Sequence, residues 1–237
     1  LLTPFLPDET APGAGGQARL QRLVSQILET EGYFSPQIEF AGEDGDLRLT
    51  VAPGPRTVIA AVAVAVDGPL AAKTRQELIA GWELPVGQPF RQQDWNTAKQ
   101  QILSRLLAEN HAAARLVDSQ ATIDPATKQA RLMARYDSGP PFRFGELRVE
   151  GLERYPVTLV ERHNRTVRPG EPFREADLNA LQAALQATPQ FRSVQVSIDR
   201  DTPPDADGVV TAPVTVRLSE RPAHRLEVAQ ELDALLD

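Results

Sequence analysis

Three histidines, His111, His163 and His224, are the side chains best suited to proton transfer or metal binding near neutral pH. None has a second histidine or a cysteine at metal-ligand spacing, so each reads as a surface or helix-end residue. Cysteine is absent from all 237 residues, which excludes thiol catalysis and disulfides. No Gly-x-Ser-x-Gly elbow is present to expose a nucleophilic serine. Gly13-Ala14-Gly15-Gly16 has the glycine content of a phosphate loop but lacks the Lys-Ser/Thr that would hold phosphates and metal. It reads as a flexible entry to a helix over residues 17–31. Asp205-Ala206-Asp207-Gly208 could begin a calcium loop, but no glutamate follows at the offset a bidentate ligand needs, and a solvated hairpin turn is expected. Asn164-Arg165-Thr166 matches a glycosylation sequon, a triplet that arises often by chance. The expectation is a chain with no catalytic, metal or cofactor-binding residues.

What the sequence does carry is a duplication. Gly87-Gln88-Pro89-Phe90-Arg91-Gln92-Gln93-Asp94-Trp95-Asn96 returns as Gly170-Glu171-Pro172-Phe173-Arg174-Glu175-Ala176-Asp177-Leu178-Asn179, identical at six of ten positions with an offset of 83. Upstream, Val62–Gly68 aligns with Gly145–Gly151 at the same offset, and Gly54-Pro55 corresponds to Gly139-Pro140. A period this long is a whole small domain, not a solenoid unit.

Each unit reads strand, helix, helix, strand, strand. In the opening strand of the second unit, Val62, Val64 and Val66 alternate with Ala61, Ala63 and Ala65, the period of a half-buried strand. In the third unit Leu147 and Val149 are expected inward, with Glu146, Arg148 and Glu150 outward. Trp95, Ala98 and Ile102 form a helical stripe repeated by Leu178, Leu181 and Leu185. Asp94 and Asp177 suit a cap or first turn. Gly87 and Gly170 suit a left-handed turn that ends the first helix, and Phe90 and Phe173 are expected in the core. Two extended runs close each unit: Gln37–Phe40 with Asp46–Val51, Leu116–Ile123 with Ala130–Tyr136, and Val194–Ile198 with Val214–Leu218. Glu43-Asp44-Gly45-Asp46 predicts a tight turn in the first of these hairpins. The second unit has Ala112-Ala113-Ala114 where the others carry Phe34 and Phe191, which predicts a different packing at that strand entry. The first unit shows no opening strand. The domain expectation is an incomplete module over 1–53, complete modules over 54–138 and 139–222, and a tail over 223–237.

Composition narrows the function classes. Net charge is −7 and the isoelectric point about 5.1, with no basic stripe, so duplex nucleic acid and acidic membrane surfaces are poor partners. The longest apolar run, Val58–Val66, is too short to span a bilayer. Modules of about 80 residues can each hold a single core, one sheet face under two helices, in an α+β plan.

The module order, the Gly-x-Pro-Phe segment before the second helix and the closing Phe191-x-x-Val194-x-Val196-x-Ile198 strand resemble POTRA domains, the periplasmic modules of outer-membrane protein assembly factors. Glu31-Gly32-Tyr33-Phe34, the segment Ser138-Gly139-Pro140-Pro141-Phe142-Arg143-Phe144-Gly145 and a count of three modules resemble the TamA family in particular. The resemblance covers residues 1–228. It implies a periplasmic arm of an outer-membrane protein. The implied partners are an inner-membrane-anchored TamB-like protein and client polypeptides, with no cofactor. A two-partner secretion transporter arm is the alternative, but normally carries two modules. The family follows its last module with a β-barrel. Here His224–Val228 resembles the start of a first barrel strand, and Ala229–Asp237 reads as an acidic amphipathic tail. The candidate binding residues are Gln37, Ile38, Glu39 and Phe40, on a hairpin strand expected at a sheet edge, and Ala61, Ala63 and Ala65, a small-residue sheet face that the third module replaces with Glu146 and Arg148.

Overall fold

The computed structural model describes residues 14–42 and 48–222, so the turn at Glu43–Asp46 and the segments from Ala223 on lie outside the described residues. The elements are α1 (Ala14–Thr30), β1 (Gln37–Ala41), β2 (Arg48–Ala52), β3 (Val58–Asp67), α2 (Ala72–Ala80), α3 (Gln92–Ala108), β4 (Arg115–Asp124), β5 (Gln129–Asp137), β6 (Phe142–Glu150), α4 (Thr158–His163), α5 (Glu175–Gln186), β7 (Phe191–Ile198) and β8 (Val210–Glu220). They form an α+β array with three separate sheets, ordered β1-β2, β3-β5-β4 and β6-β8-β7. In both three-stranded sheets the opening strand runs parallel to the last strand, which takes the centre, and the middle hairpin strand runs antiparallel at the far edge. The helix pair supplies the crossover that a parallel pairing requires.

The chain packs as two compact units, one of residues up to Leu107 with Ala113–Gly139, the other of Ala108–Ala112 with residues from Pro140. In the first unit the α3 stripe of Trp95, Ala98, Ile102 and Leu106 packs with Ile59, Leu132 and Tyr136 of the sheet around Phe90. In the second, Leu178, Leu181 and Leu185 are buried with Phe142, Phe144, Phe173, Val214 and Val216. The 3.6-residue stripe of each helix thus meets the period-two face of its sheet. The central strands β5 and β8 bury alternate residues along their length, because both of their edges are paired.

A backbone clasp occurs in both units. In the first, Thr57 N–H donates to the Gly32 carbonyl at 2.8 Å and Phe90 N–H to the Thr57 carbonyl at 2.9 Å. In the second, Phe142 N–H donates to the Asn110 carbonyl at 2.6 Å and Phe173 N–H to the Phe142 carbonyl at 3.0 Å. Gly32 and Asn110 both hold positive φ, +92° and +60°. The Phe of each Gly-x-Pro-Phe segment is therefore fixed by its backbone as well as by its ring. In the first unit the Glu31 carboxylate adds bonds from Arg91 Nε at 3.0 Å and Arg56 Nη2 at 3.3 Å.

Two expectations change, and two become specific. Gly15 and Gly16 lie inside the first turn of α1, so these two glycines are part of the helix, while Gly13 lies outside the described residues. Gly87 does not end α2, which stops at Ala80; its N–H donates to Ile59 of β3 at 2.8 Å, and Gly170 does the same to Phe144 of β6 at 2.7 Å. The Gly-x-Pro-Phe segment is thus a short cover on the start of the opening strand. Asp94 and Asp177 lie in first turns, and Arg174 at the cap of α5 makes no side-chain capping bond. Ala112 is fully buried at 0% exposure and belongs with the second unit, so a methyl group suffices at that strand entry.

Candidate partner-binding edges

The histidines do not assemble a site. His163 bonds the Leu159 carbonyl within α4 through Nδ1, His111 is buried at 8% exposure, and His224 lies outside the described residues. Among the described residues no group of three or more His, Cys, Asp or Glu could hold a metal ion. Asp205 Oδ1 accepts from the backbone N–H groups of Asp207 and Val209, so that acidic loop is tied to its own turn. Asn164 and Val167 exchange side-chain-to-backbone bonds at 2.8 and 3.0 Å, closing the sequon segment into a turn. No described helix is long and apolar enough to cross a membrane.

The open features are sheet edges. Gln37, Ile38, Glu39 and Phe40 lie on β1, opposite Ala52, Val51, Thr50 and Leu49 of β2. Ile38 and Phe40 are half-buried while Gln37 and Glu39 are exposed. Val24 is the one described residue of α1 below 9% exposure, and Ile27 is 40% exposed. Among the described residues this half-module has two strands and one helix, and its Phe34 packs on Phe90 of the neighbouring core at 5.9 Å.

Ala61, Ala63 and Ala65 are exposed on the outward face of β3, opposite Arg131, Met133 and Arg135 of β5. Across β5 stand Thr122, Gln120 and Asp118 of β4. The alanines therefore form one margin of a face whose middle row carries two guanidinium groups. Arg135 Nε donates to Asp67 Oδ2 at 2.6 Å, and that bond raises the guanidinium's pKa further. Asp124 carboxylate accepts from Thr127 side chain and backbone and from Ala126 backbone, which hold it below the usual carboxylate range. The Ala61–Ala65 margin and the β1 residues sit in different sheets, and no strand pairing brings them together.

The two complete modules differ at their hairpin edges, and the sequence reading missed the cause. Val196 N–H on β7 donates to Gln182 Oε1 of α5 at 2.9 Å. Gln186 Nε2 donates to the Val194 carbonyl of β7 at 3.3 Å. Two edge groups are thus satisfied by glutamines of the module's own helix. At the 83-residue offset the second module has Lys99 and Leu103. Lys99 places its ammonium 4.8 Å from the Trp95 ring centre, and Leu103 packs against the core. α5 runs close along β7, whereas α3 makes no comparable approach to β4. Four residues, 187–190, join α5 to β7, against six, 109–114, between α3 and β4, so the third module's helix is held nearer its strand. The signal was available in principle: polar residues at helix positions whose repeat partners are Leu and Lys.

No family model matches the chain. Among solved structures it is similar to POTRA domains 3–5 of BamA from Haemophilus influenzae, with a TM-score of 0.56 and 19% identity over 91% of this chain and 84% of that one. It is also similar to BamA from Haemophilus ducreyi lacking POTRA domains 1–3, with a TM-score of 0.56 and 18% identity over 69% of this chain and 29% of that one. These likenesses agree with the mixed-sheet, two-helix module and establish the POTRA-type fold.

Proposed function

We propose that this chain is the periplasmic arm of an outer-membrane protein assembly or autotransporter-secretion factor of the TamA type, and that it works by binding, without catalysis. Its partners are an inner-membrane-anchored TamB-like protein and extended client strands. The observation that carries this reading is the repeated module, which in the β1-β2 and β3-β5-β4 sheets keeps a hairpin strand at an open edge beside half-buried apolar residues. An unpaired edge offers a row of donors and acceptors to another strand, and alternate side-chain positions give specificity. Gln37, Ile38, Glu39 and Phe40 supply such an edge, and Ala61, Ala63 and Ala65 a margin that small side chains leave open to close approach. The fold's likeness to BamA POTRA domains and the sequence resemblance to the TamA family support the periplasmic placement.

The test is capture of the C-terminal region of a TamB-like protein by the full chain, with Ala63→Arg and Phe40→Glu as variants and circular dichroism as the fold control. Loss of capture with an unchanged spectrum supports the site. Capture unchanged by both substitutions removes these surfaces, and no capture by the parent chain removes the TamB-like partner.

A further inference from the structure

The two complete modules are internal controls for one another: same topology, same helix stripe, different hairpin edges. β7 has its outward Val194 carbonyl and Val196 N–H engaged by Gln186 and Gln182. β4 has no side-chain partner on its outer edge among the described residues. Its register slips between Leu116 and Asp118, as that of β7 does between Phe191 and Ser193, so the slip is common to both modules; the extra residue of β4, Val117, is 52% exposed. Leu116, Ala121 and Ile123 on its inner side are packed against the core yet only partly buried. A strand laid beside β4 would cover them. Left open, such an edge is a hazard that proteins usually blunt, and the third module blunts its own.

We propose that Gln182 and Gln186 are a built-in cap that closes the third module to incoming strands, and that β4 is thereby the docking edge of the complete modules, taking an extended partner strand of alternating apolar and basic residues. This rests on the strand-binding reading above and names the edge and the partner's chemistry. The charge follows from β4's outward side chains. Arg115 is engaged by Asp137 at 3.1 Å, and Asp124 is occupied by its own turn. Asp118 is exposed, makes no ion pair within 4 Å among the described residues, and its β5 neighbour Arg135 is bound to Asp67. It stands opposite Arg135, which still feels its charge, and it is the acidic side chain of that edge bound neither in a short ion pair nor by its own turn, so a cross-strand basic residue is its complement. The chain's net charge of −7 favours the same sign of partner.

The experiment uses the full chain with an acetylated eight-residue peptide alternating valine and lysine, and its valine–glutamate counterpart. Amide exchange locates the contact and titration gives affinity. The lysine peptide should slow exchange in β4 around Ser119–Ile123 and leave β7 unchanged. Gln182→Ala with Gln186→Ala, two substitutions at incompletely buried positions, should add protection at Val194–Ile198. Asp118→Lys should weaken the lysine peptide about ten-fold and reverse the preference, the scale of turning one exposed attraction into a repulsion. Protection of β7 in the parent chain, or none gained there by the alanine pair, would overturn the cap. Protection confined to β1 or β2 would overturn the β4 assignment and leave the scaffold reading standing. No protection at any edge would overturn strand docking, while capture of the TamB-like protein would still decide the scaffold reading.

Discussion

Trp95→Ala tests whether the α3 stripe is what holds the first unit together. The indole is 3% exposed. It meets the Trp82 ring edge-on at 5.9 Å and 66°, and carries the Lys99 ammonium on its face at 4.8 Å. Truncating a buried aromatic of this size costs about 3–5 kcal/mol. The edge-on ring pair contributes about 1 kcal/mol of specific interaction, which places the expected loss at the upper end of that range. Small domains hold only about 5–15 kcal/mol in all, so the variant unit would be marginal. Trp82 and Trp95 are the chain's two tryptophans, and both lie in the first unit. In the variant, Trp82 alone therefore reports unfolding of that unit. With a urea dependence of about 2 kcal/mol per M, the midpoint should fall by about 2 M. Trp95→Phe, which keeps a ring against Trp82, should recover roughly half of that. A Trp95→Ala midpoint within about 0.5 M of the parent would refute the argument, because a residue on a solvent face would behave that way.

Gly151→Ala and Gly170→Ala form a second test, since both glycines hold φ near +90°. A Cβ at Gly151 would fall 1.9 Å from the Leu218 carbonyl oxygen on the central strand, while one at Gly170 meets nothing within 4 Å. Gly170→Ala should cost about 1 kcal/mol and Gly151→Ala at least about 3 kcal/mol, read from thermal melts; equal costs would show that β8 yields freely. Burial alone would raise the Glu220 pKa, but bonds from the backbone N–H groups of Arg154, Glu153 and Tyr155 and from the Arg154 side chain bring it to about 2. Its contribution to the second unit's stability is present above the ordinary value of 4.5 and lost as pH falls towards 2. Glu220→Gln should flatten that stretch of the acid unfolding curve, and an unchanged curve would count against the anchor. Tyr136 is pushed up to about 12 by burial, and its hydroxyl donates to the Lys99 carbonyl at 3.0 Å. The raised pKa makes its contribution complete below pH 10 and lost as pH climbs to 12, so Tyr136→Phe should remove that alkaline loss from a melt series.

Much of the module was legible in the residues themselves. Trp95, Ala98 and Ile102, their counterparts Leu178, Leu181 and Leu185, and the alternation of Val62, Val64 and Val66 are local periodicities. A period of 3.6 or 2 fixes which side of an element is dry before any neighbour is known. The duplication added the rest of the order, because a repeated segment constrains both copies at once. Strand neighbours, cover segments and edge caps were not legible, because each depends on residues distant in the chain. Pro213 shows the limit. It sits in the central strand β8, where a missing N–H argues against any strand assignment. Only the pairing reveals that β6 slips register between Phe144 and Leu147 beside it, with Gly145 too close to Ala212 for a side chain. The alanine margin is a similar case: alternation placed Ala61, Ala63 and Ala65 outward, but Arg131 and Arg135 joined that face only when β5 took the centre. The glutamine cap is another. Gln182 and Gln186 are ordinary polar residues of an amphipathic helix until a four-residue connection brings α5 against β7. Periodicity is written into one segment, whereas a hydrogen bond from a side chain to a remote backbone exists only once the tertiary structure has chosen the distance.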